Sequence, residues 1–227
     1  MDFTYKNHME NDSNIPKGKR TDPGLYAKAK EAYEMWKAEP HNVKIIDVRT
    51  VEEFIFVGNP PMAWKIPVAI QSYKWNSEKR KYPMVPLADF VTRVKKVAKP
   101  DDTLMLMCRS GGRSAIAINM LAKEGYSNVY QIIDGFEGDI IEDHENVFIG
   151  KRMMNGWKNA GCPWSYELDR EKLLVSDSEQ YFTLKCKYEF EKKCSNFYWR
   201  YYDNLDFVCN NFIFSGSGLQ ILSQRKS

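Results

Sequence analysis

Hydrophobic residues form short runs that alternate with segments of helical spacing through most of the chain. Continuous apolar runs predict buried strands, and positions recurring every three or four residues predict helices. The predicted strands are residues 43–48, 103–107 and 128–133, and the predicted helices are 25–36, 87–98, 114–124 and 151–160. Strands separated by helices are typical of a parallel sheet covered on both faces, so the predicted class is α/β.

This pattern divides the chain into three regions. Residues 1–24 are polar, mixed in charge and end in a turn signal at residues 21–24, so a flexible leader is expected. Residues 25–174 carry the alternating pattern and are expected to form one domain. Residues 175–227 are crowded with aromatic residues and Asn and show no clean period, so an extension of uncertain structure is expected.

Charge and composition exclude several classes of protein. The net charge is +3 and basic residues are scattered among acidic ones, which does not favour a nucleic-acid partner. No run approaches the roughly 18 consecutive apolar residues of a membrane helix, so no membrane partner is expected. The three histidines have no ligand-like spacing, so no metal site is expected.

Cysteine usage bears on the compartment. The chain has five cysteines, an odd number without a tight framework, which favours reduced thiols and a cytoplasmic location. No apolar run follows a basic start at the N-terminus, as a secretory signal would require. A chain that had lost such a signal would read the same, so a periplasmic or secreted location stays open.

The segment with the clearest chemical signal is residues 108–114, Cys-Arg-Ser-Gly-Gly-Arg-Ser, called the cysteine loop below. It follows a predicted strand and opens a predicted helix, where α/β sheets normally place a site. Helix N-termini attract anions, and two glycines let successive N–H groups converge on one point. Arg109 and Arg113 add positive charge. Cys108 is therefore expected to act as a thiolate nucleophile, whereas a lone buried cysteine is more often inert.

The cysteine loop resembles the active-site loop of rhodanese-like sulfurtransferases. Other motifs stand in the order of that family, and together they are more specific than any one alone. They are Asp47-Val48-Arg49, Glu53-Phe54, Ile66-Pro67, Asn128-Val129-Tyr130, Asp134-Gly135-Phe136 and the closing segment 157–163. Two departures affect the rim of the site: Gly58-Asn59-Pro60-Pro61 stands where the family has Gly-His, and a second glycine is replaced near residues 136–138.

The resemblance implies a rhodanese-like parallel sheet flanked by helices on both faces, and it implies sulfur transfer. Cys108 would take sulfur from thiosulfate or a similar donor as a persulfide and pass it to a thiol or protein thiol, or to cyanide in assays. Arg109 and Arg113 would hold the anionic donor. The backbone through Ser110, Gly111 and Gly112 would cradle the outer sulfur. The resemblance implies no metal and no organic cofactor.

Two other functions compete with this one. Tyrosine phosphatases place five residues between the cysteine and arginine of their loops, whereas four separate Cys108 from Arg113, which favours sulfur over phosphate. A rhodanese-like sulfur carrier or protein-interaction module without thiosulfate turnover is the second alternative, and sequence alone leaves it open.

Charged residues also occur outside the cysteine loop. Asp47, Arg49 and Glu53 are interpreted as structural ion pairs that support the loop, with Arg49 ranked first for a role at the site. The basic stretch within residues 71–85 is interpreted as a solvated loop, with a basic lip that attracts donor anions as the alternative.

Overall fold

The computed structural model describes residues 15–175 and the backbone of three short strands between residues 207 and 221. The chain forms two compact units, residues 1–176 and 177–227. The first unit contains helices α1 (Ala29–Ala38), α2 (Val51–Phe56), α3 (Phe90–Lys95) and α4 (Gly112–Lys123), and the seven strands β1 (Tyr26–Ala27), β2 (Val43–Asp47), β3 (Trp64–Lys65), β4 (Ala69–Gln71), β5 (Met84–Pro86), β6 (Thr103–Met107) and β7 (Val129–Ile132).

A five-stranded parallel sheet forms the centre of the first unit. Its strand order is β1-β7-β6-β2-β3, so β6 lies in the middle between β7 and β2. Cys108 directly follows β6, which places the cysteine loop at the carboxyl end of the central strand. This is the end at which ligands bind in open α/β sheets.

Helices cover both faces of the sheet, as predicted. Alternate residues of β6 point to opposite faces, because side chains alternate along a strand. Leu104 and Leu106 pack with the apolar residues of α3 and α4 on one face. Met105 and Met107 pack with α1 on the other. Cys108 belongs to the cluster that contains α3 and α4, and so it faces the helix that its own loop opens.

Most of the predicted elements are present, but three details were wrong. The first helix begins at Ala29, because the preceding residues form β1 and pair with β7. The helix predicted at 87–98 is only Phe90–Lys95, because the N–H groups of Phe90, Lys96 and Val97 donate to carbonyls three residues back and form tighter turns at the two ends. No helix forms at 151–160, where the Trp157 and Lys158 N–H groups donate to the carbonyls of residues 135 and 136.

Residues 71–85 belong to a hairpin whose two ends are paired. Strands β4 and β5 pair antiparallel, with Ile70 opposite Val85, and form a hairpin over residues 69–86 that is called the lip hairpin below. Residues 72–83 connect these strands and are mostly exposed, which agrees with the interpretation as a solvated loop, but the pairing of its two ends was not predicted. Three residues in each strand are too few for a period-2 pattern to be visible in the sequence.

Residues 15–24 of the predicted leader belong to the first unit, and some of them pack into it. Ile15 and Thr21 are buried, Lys17–Lys19 forms a turn of 3-10 helix, and the Lys19 ammonium pairs with Asp139 at 2.9 Å. The prediction of flexibility for residues 1–14 lies outside the described residues. The proposed boundary at residue 25 stays a prediction.

The second unit is described only by its strands. β8 (Phe207–Cys209), β9 (Phe212–Ser215) and β10 (Gly218–Ile221) pair antiparallel in the order β10-β9-β8. The other predictions for residues 176–227 fall outside the described residues. Within the described part of the chain, no helix has both the length and the apolar character needed to cross a membrane.

Candidate active site

Cys108 lies in a cradle formed by its own loop. Its side chain is buried, and the Gly111 N–H donates a hydrogen bond to Sγ over 3.2 Å. The Ser114 hydroxyl is 3.6 Å from the same sulfur. Because α4 begins at Gly112, its first N–H groups lack intrahelical partners and its positive dipole end lies beside the cysteine. Unpaired N–H groups at the positive end of a helix are groups that attract anions.

Gly111 has the backbone conformation that closes the loop. Its φ of +103° is in the left-handed region, and a Cβ there would approach the Ile133 carbonyl oxygen to 2.8 Å. The Gly111 carbonyl accepts hydrogen bonds from Gln131 Nε2 at 2.6 Å and from Ser114 Oγ at 2.9 Å. The N–H group of Gly111 therefore bonds to the sulfur, while its carbonyl group is fixed to β7 and α4.

The carbonyl groups at the start of the loop are held by the segment after β7. The Cys108 carbonyl accepts from the Phe136 N–H at 2.7 Å, and the Arg109 carbonyl accepts from the N–H groups of Glu137 and Gly138. Gly135 makes this approach possible, because a Cβ there would lie 2.6 Å from the Arg109 carbonyl. Segment 135–138 therefore holds the first two residues of the loop by their backbone.

The two loop arginines have different surroundings. Arg113 makes a double hydrogen-bonded salt bridge with Glu53, at 2.6 and 2.7 Å, and both side chains are mostly buried. Arg109 is exposed, and no residue within the described part of the chain forms a salt bridge with it. Ser110 and Gly112 are half-buried. Arg109 is thus the cation of the loop that faces solvent, while the charge of Arg113 is balanced by Glu53.

Glu53 connects the loop to α2. Its carboxylate accepts the Thr50 N–H in a capping box at the start of that helix and also accepts the Arg113 guanidinium. Burial alone would raise the pKa of Glu53, but the hydrogen bonds and charge of Arg113, aided by Thr50, lower it overall. The carboxylate form is therefore the one that braces the cysteine loop.

Asp47 and Arg49 form a buried ion pair at the end of β2. Arg49 Nη2 lies 2.6 Å from Asp47 Oδ2 and 2.8 Å from the Gly58 carbonyl, and its guanidinium stacks 3.8 Å from the centre of the Phe136 ring. Both side chains are completely buried. A ligand in solution could reach neither side chain, so the geometry supports their interpretation as a structural ion pair. Arg49 connects residues 58–61, where this chain differs from the family motif, to segment 135–138, which holds the cysteine loop.

Cys162 lies on the other side of the sheet. It packs in the cluster that contains α1, whereas Cys108 packs with α3 and α4. Burial raises the pKa of the Cys162 thiol. Cys162 therefore lies apart from the cysteine loop, and its thiol ionises less readily than that of a free cysteine.

Two residues that help to build the site were missed by the sequence reading. Gln131 is completely buried in β7, and its amide holds Gly111. Lys19 lies close to the same glycine through its aliphatic chain and pairs with Asp139. The signal for Gln131 was a polar residue in an otherwise apolar strand. No local pattern marked Lys19, because its contacts join residues far apart in sequence.

In the described part of the chain, no group of three or more His, Cys, Asp or Glu side chains could hold a metal ion. The cysteine loop is instead built from N–H groups, a hydroxyl and cationic side chains. Such a set of groups binds anions, including an anionic sulfur.

The chain is similar in sequence and fold to several known proteins. An uncharacterised protein of Rickettsia prowazekii is 33% identical over 126 residues, which cover 56% of this chain and 85% of that protein. The crystal structure of Rv0390 from M. tuberculosis has 26% identity and a TM-score of 0.49, covering 63% of this chain and 99% of the other. For a polysulfide-sulfur transferase from Wolinella succinogenes the identity is 20% and the TM-score 0.35, over 48% and 68% of the two chains.

The family assignment rests on the extent of the match as well as on the loop. The family model described as rhodanese-like domain matches residues 28–140, a range that runs from the residue before α1 to beyond the loop-holding segment 135–138. This range includes the whole parallel sheet except β1. The chain belongs to the rhodanese-like domain family.

Proposed function

We propose that this protein is a sulfurtransferase that carries sulfur on Cys108 as a persulfide. The observation that carries the proposal is the hydrogen bond from the Gly111 N–H to the Cys108 sulfur, 3.2 Å long, at the amino end of α4. These groups stabilise the thiolate, which is the nucleophilic form of cysteine. The same groups are placed to stabilise a negative charge on a second sulfur.

The first step takes sulfur from thiosulfate or a donor of similar chemistry. The Cys108 thiolate attacks the outer sulfur of thiosulfate, an S–S bond forms, and the original S–S bond breaks with its electron pair leaving on sulfite. The exposed guanidinium of Arg109 attracts the doubly charged donor. Arg113, held by Glu53, keeps the loop in shape.

The second step returns the protein to its starting state. The thiolate of an acceptor, either a small thiol or a protein thiol, attacks the outer sulfur of the persulfide. The S–S bond to Cys108 breaks, Cys108 leaves as a thiolate, and the acceptor becomes the persulfide. Electrons balance within the two steps, so neither a metal nor an organic cofactor is needed.

A sulfur carrier without thiosulfate turnover is the second candidate, and the Arg113–Glu53 salt bridge favours it. That bridge neutralises one of the two loop cations, which leaves less net charge to bind a small dianion. A carrier would receive its sulfur from a protein donor and use the same Cys108 cradle. The two candidates share the persulfide and differ only in the donor.

Mass spectrometry of the intact full-length protein tests the persulfide. After incubation with thiosulfate, we expect the wild-type protein and Cys162→Ala to gain the mass of one sulfur atom, and Cys108→Ser to gain none. A sulfur adduct on Cys108→Ser would contradict the proposal. A carrier would gain sulfur from a persulfide donor but not from thiosulfate.

A second assay tests the selectivity of the loop. Four residues between Cys108 and Arg113 make a smaller ring of N–H groups than a phosphatase loop has. We expect no measurable hydrolysis of an aryl phosphate under conditions in which the persulfide forms. Efficient hydrolysis would place the chain with the phosphatases instead.

A further inference from the structure

The lip hairpin begins close to the cysteine loop. The Val48 N–H donates to the Met107 carbonyl at 2.9 Å, the Val68 N–H donates to the Val48 carbonyl at 3.2 Å, and the Leu87 N–H donates to the Val68 carbonyl at 2.9 Å. Met107 is the residue before Cys108. Three backbone hydrogen bonds therefore connect the base of the hairpin to the start of the loop, at the same end of the sheet.

A side-chain hydrogen bond also connects the lip hairpin to helix α2. The hydroxyl of Tyr73, which lies two residues after β4, donates to the Glu52 carboxylate at 2.8 Å. Glu52 adjoins Glu53, whose carboxylate pairs with Arg113 of the cysteine loop. The hairpin thus contacts the same helix that braces the loop.

The outer part of the hairpin is ordered and exposes large aromatic residues. Trp75 and Tyr82 contact edge to face, with ring centres 5.1 Å apart, while half of each side chain remains exposed. Asn76 and Lys81 pair through their backbones in both directions. Trp and Tyr exposed on a rigid support are the residues most enriched at the energetic centres of protein interfaces.

The tip also carries a concentrated positive charge. Lys79, Arg80 and Lys81 are consecutive and exposed, and Glu78 is the only acidic residue between positions 71 and 86. Within the part of the chain that the structure describes, no acidic side chain forms a salt bridge with these three cations. Since the net charge of the whole chain is only +3, this segment is a strong local departure from its average.

We propose that the lip hairpin is the docking surface for the sulfur acceptor, and that the acceptor is a protein whose thiol lies in an acidic surface patch. This inference rests on the proposed function, since it places the acceptor of the Cys108 persulfide. Charge complementarity brings the acidic patch to residues 79–81 and raises the rate of encounter. Trp75 and Tyr82 supply the apolar contact area, and the acceptor thiol is held at the end of the sheet where the persulfide lies.

The test follows sulfur transfer from the loaded full-length protein to two synthetic peptide thiols. One peptide has Asp and Glu on both sides of its cysteine, and the other has Asn and Gln at the same positions. We expect the acidic peptide to accept sulfur about tenfold faster in kcat/KM at low ionic strength. This preference should shrink as salt is added, because the charges are exposed.

Two variants locate the effect on the hairpin. Lys79→Gln/Arg80→Gln/Lys81→Gln should remove the preference for the acidic peptide, and Trp75→Ala should slow transfer to both peptides. Neither should alter transfer to dithiothreitol, an uncharged small thiol, by more than about twofold, since it needs no docking surface. The matched control is Lys96→Gln/Lys99→Gln/Lys123→Gln, which removes three exposed cations near the amino ends of the strands and should keep the preference.

Each other outcome overturns the inference. Equal rates for the two peptides in the wild-type protein would show that acidic acceptors are not preferred. If the hairpin variant lost thiosulfate loading as much as peptide transfer, the hairpin would be a general anion attractor. Competition by a single-stranded RNA oligomer that depends on residues 79–81 would make it a nucleic-acid surface. Failure of the proposed function is distinguishable, because no persulfide would then form on Cys108 at all.

Discussion

The cysteine loop and the lip hairpin lie at the same end of the sheet and both concentrate basic residues, but they use them differently. In the loop, Arg113 is mostly buried and bonded twice to Glu53. On the hairpin, Lys79, Arg80 and Lys81 are exposed and no described residue forms a salt bridge with them. A buried charge is fixed and shapes the backbone around it, whereas an exposed charge acts at a distance on whatever approaches.

The same contrast holds for the backbone. Gly111 in the loop and Arg80 in the hairpin both have positive φ, at +103° and +46°. Gly111 is surrounded by the Ile133 carbonyl, Gln131 and Lys19, so its conformation is required by its neighbours. Arg80 is exposed at a turn, where conformational strain affects little beyond the turn itself. The loop is therefore expected to be sensitive to substitution and the hairpin tolerant of it.

The largest effect is expected for Gly111→Ala. A side chain at this φ, 2.8 Å from the Ile133 carbonyl, should lower the free energy of unfolding by about 1–3 kcal/mol. It should also displace the N–H that holds the sulfur and slow persulfide formation about 100-fold. Thermal melting and intact mass measure the two effects. Gly125→Ala is the control, because Gly125 has a φ of +88° but nothing within 4 Å of a Cβ, so activity should be retained.

The next largest effects separate the two loop arginines. Arg113→Gln leaves the Glu53 carboxylate mostly buried without its partner, and should lower the free energy of unfolding by about 2 kcal/mol. Arg109→Gln removes an exposed cation and should change stability by less than about 0.5 kcal/mol. It should lower kcat/KM for thiosulfate about tenfold through the lost charge.

The double variant Glu53→Gln/Arg113→Gln serves as the control for this comparison. It should recover part of the lost stability, since no charge is left unpaired. If Arg113→Gln were as stable as the wild-type protein, the salt bridge would not brace the loop. Unchanged thiosulfate kinetics in Arg109→Gln would assign donor binding to the N–H groups alone.

A smaller effect on the stability of the folded protein is expected when the pH is lowered. The pKa of Glu53 in the folded protein lies below its ordinary value of 4.5, so the unfolded chain takes up this proton first as the pH falls. The stabilisation from Glu53 is fully present above pH 4.5 and is lost as the pH falls through the folded pKa. Melting temperatures of the wild-type protein and Glu53→Gln should therefore converge below pH 4.5. Curves that stay parallel from neutral to acid pH would contradict this reading.

The smallest effect is expected on the hairpin. Arg80→Gly places the most permissive residue at a turn with positive φ and should change the free energy of unfolding by less than about 0.5 kcal/mol. Melting temperature and thiosulfate loading should both match the wild-type protein. A large loss of either would show that the hairpin tip is part of the folded core of the site, and the contrast with Gly111 would fail.

By itself, the sequence determined the class of the fold and the position of the cysteine loop at the end of a buried strand. The apolar runs at residues 43–48 and 103–107 predicted buried strands, and Cys108 follows the second of them directly. Glycines and arginines within seven consecutive residues mark an anion cradle, because helix N-termini and left-handed glycines act over a single turn of chain. Interactions of such short range leave their signal in neighbouring residues.

Only the tertiary structure decided how the cradle is held and which of its charges is exposed. The pairing of Arg113 with Glu53, and the support of Gly111 by Gln131, join residues 60 and 20 positions apart. The helix predicted at 151–160 fails for the same reason, since the N–H groups of residues 157 and 158 are taken by the carbonyls of residues 135 and 136. Local propensity is weaker than such contacts when a buried backbone group has a partner elsewhere in the fold.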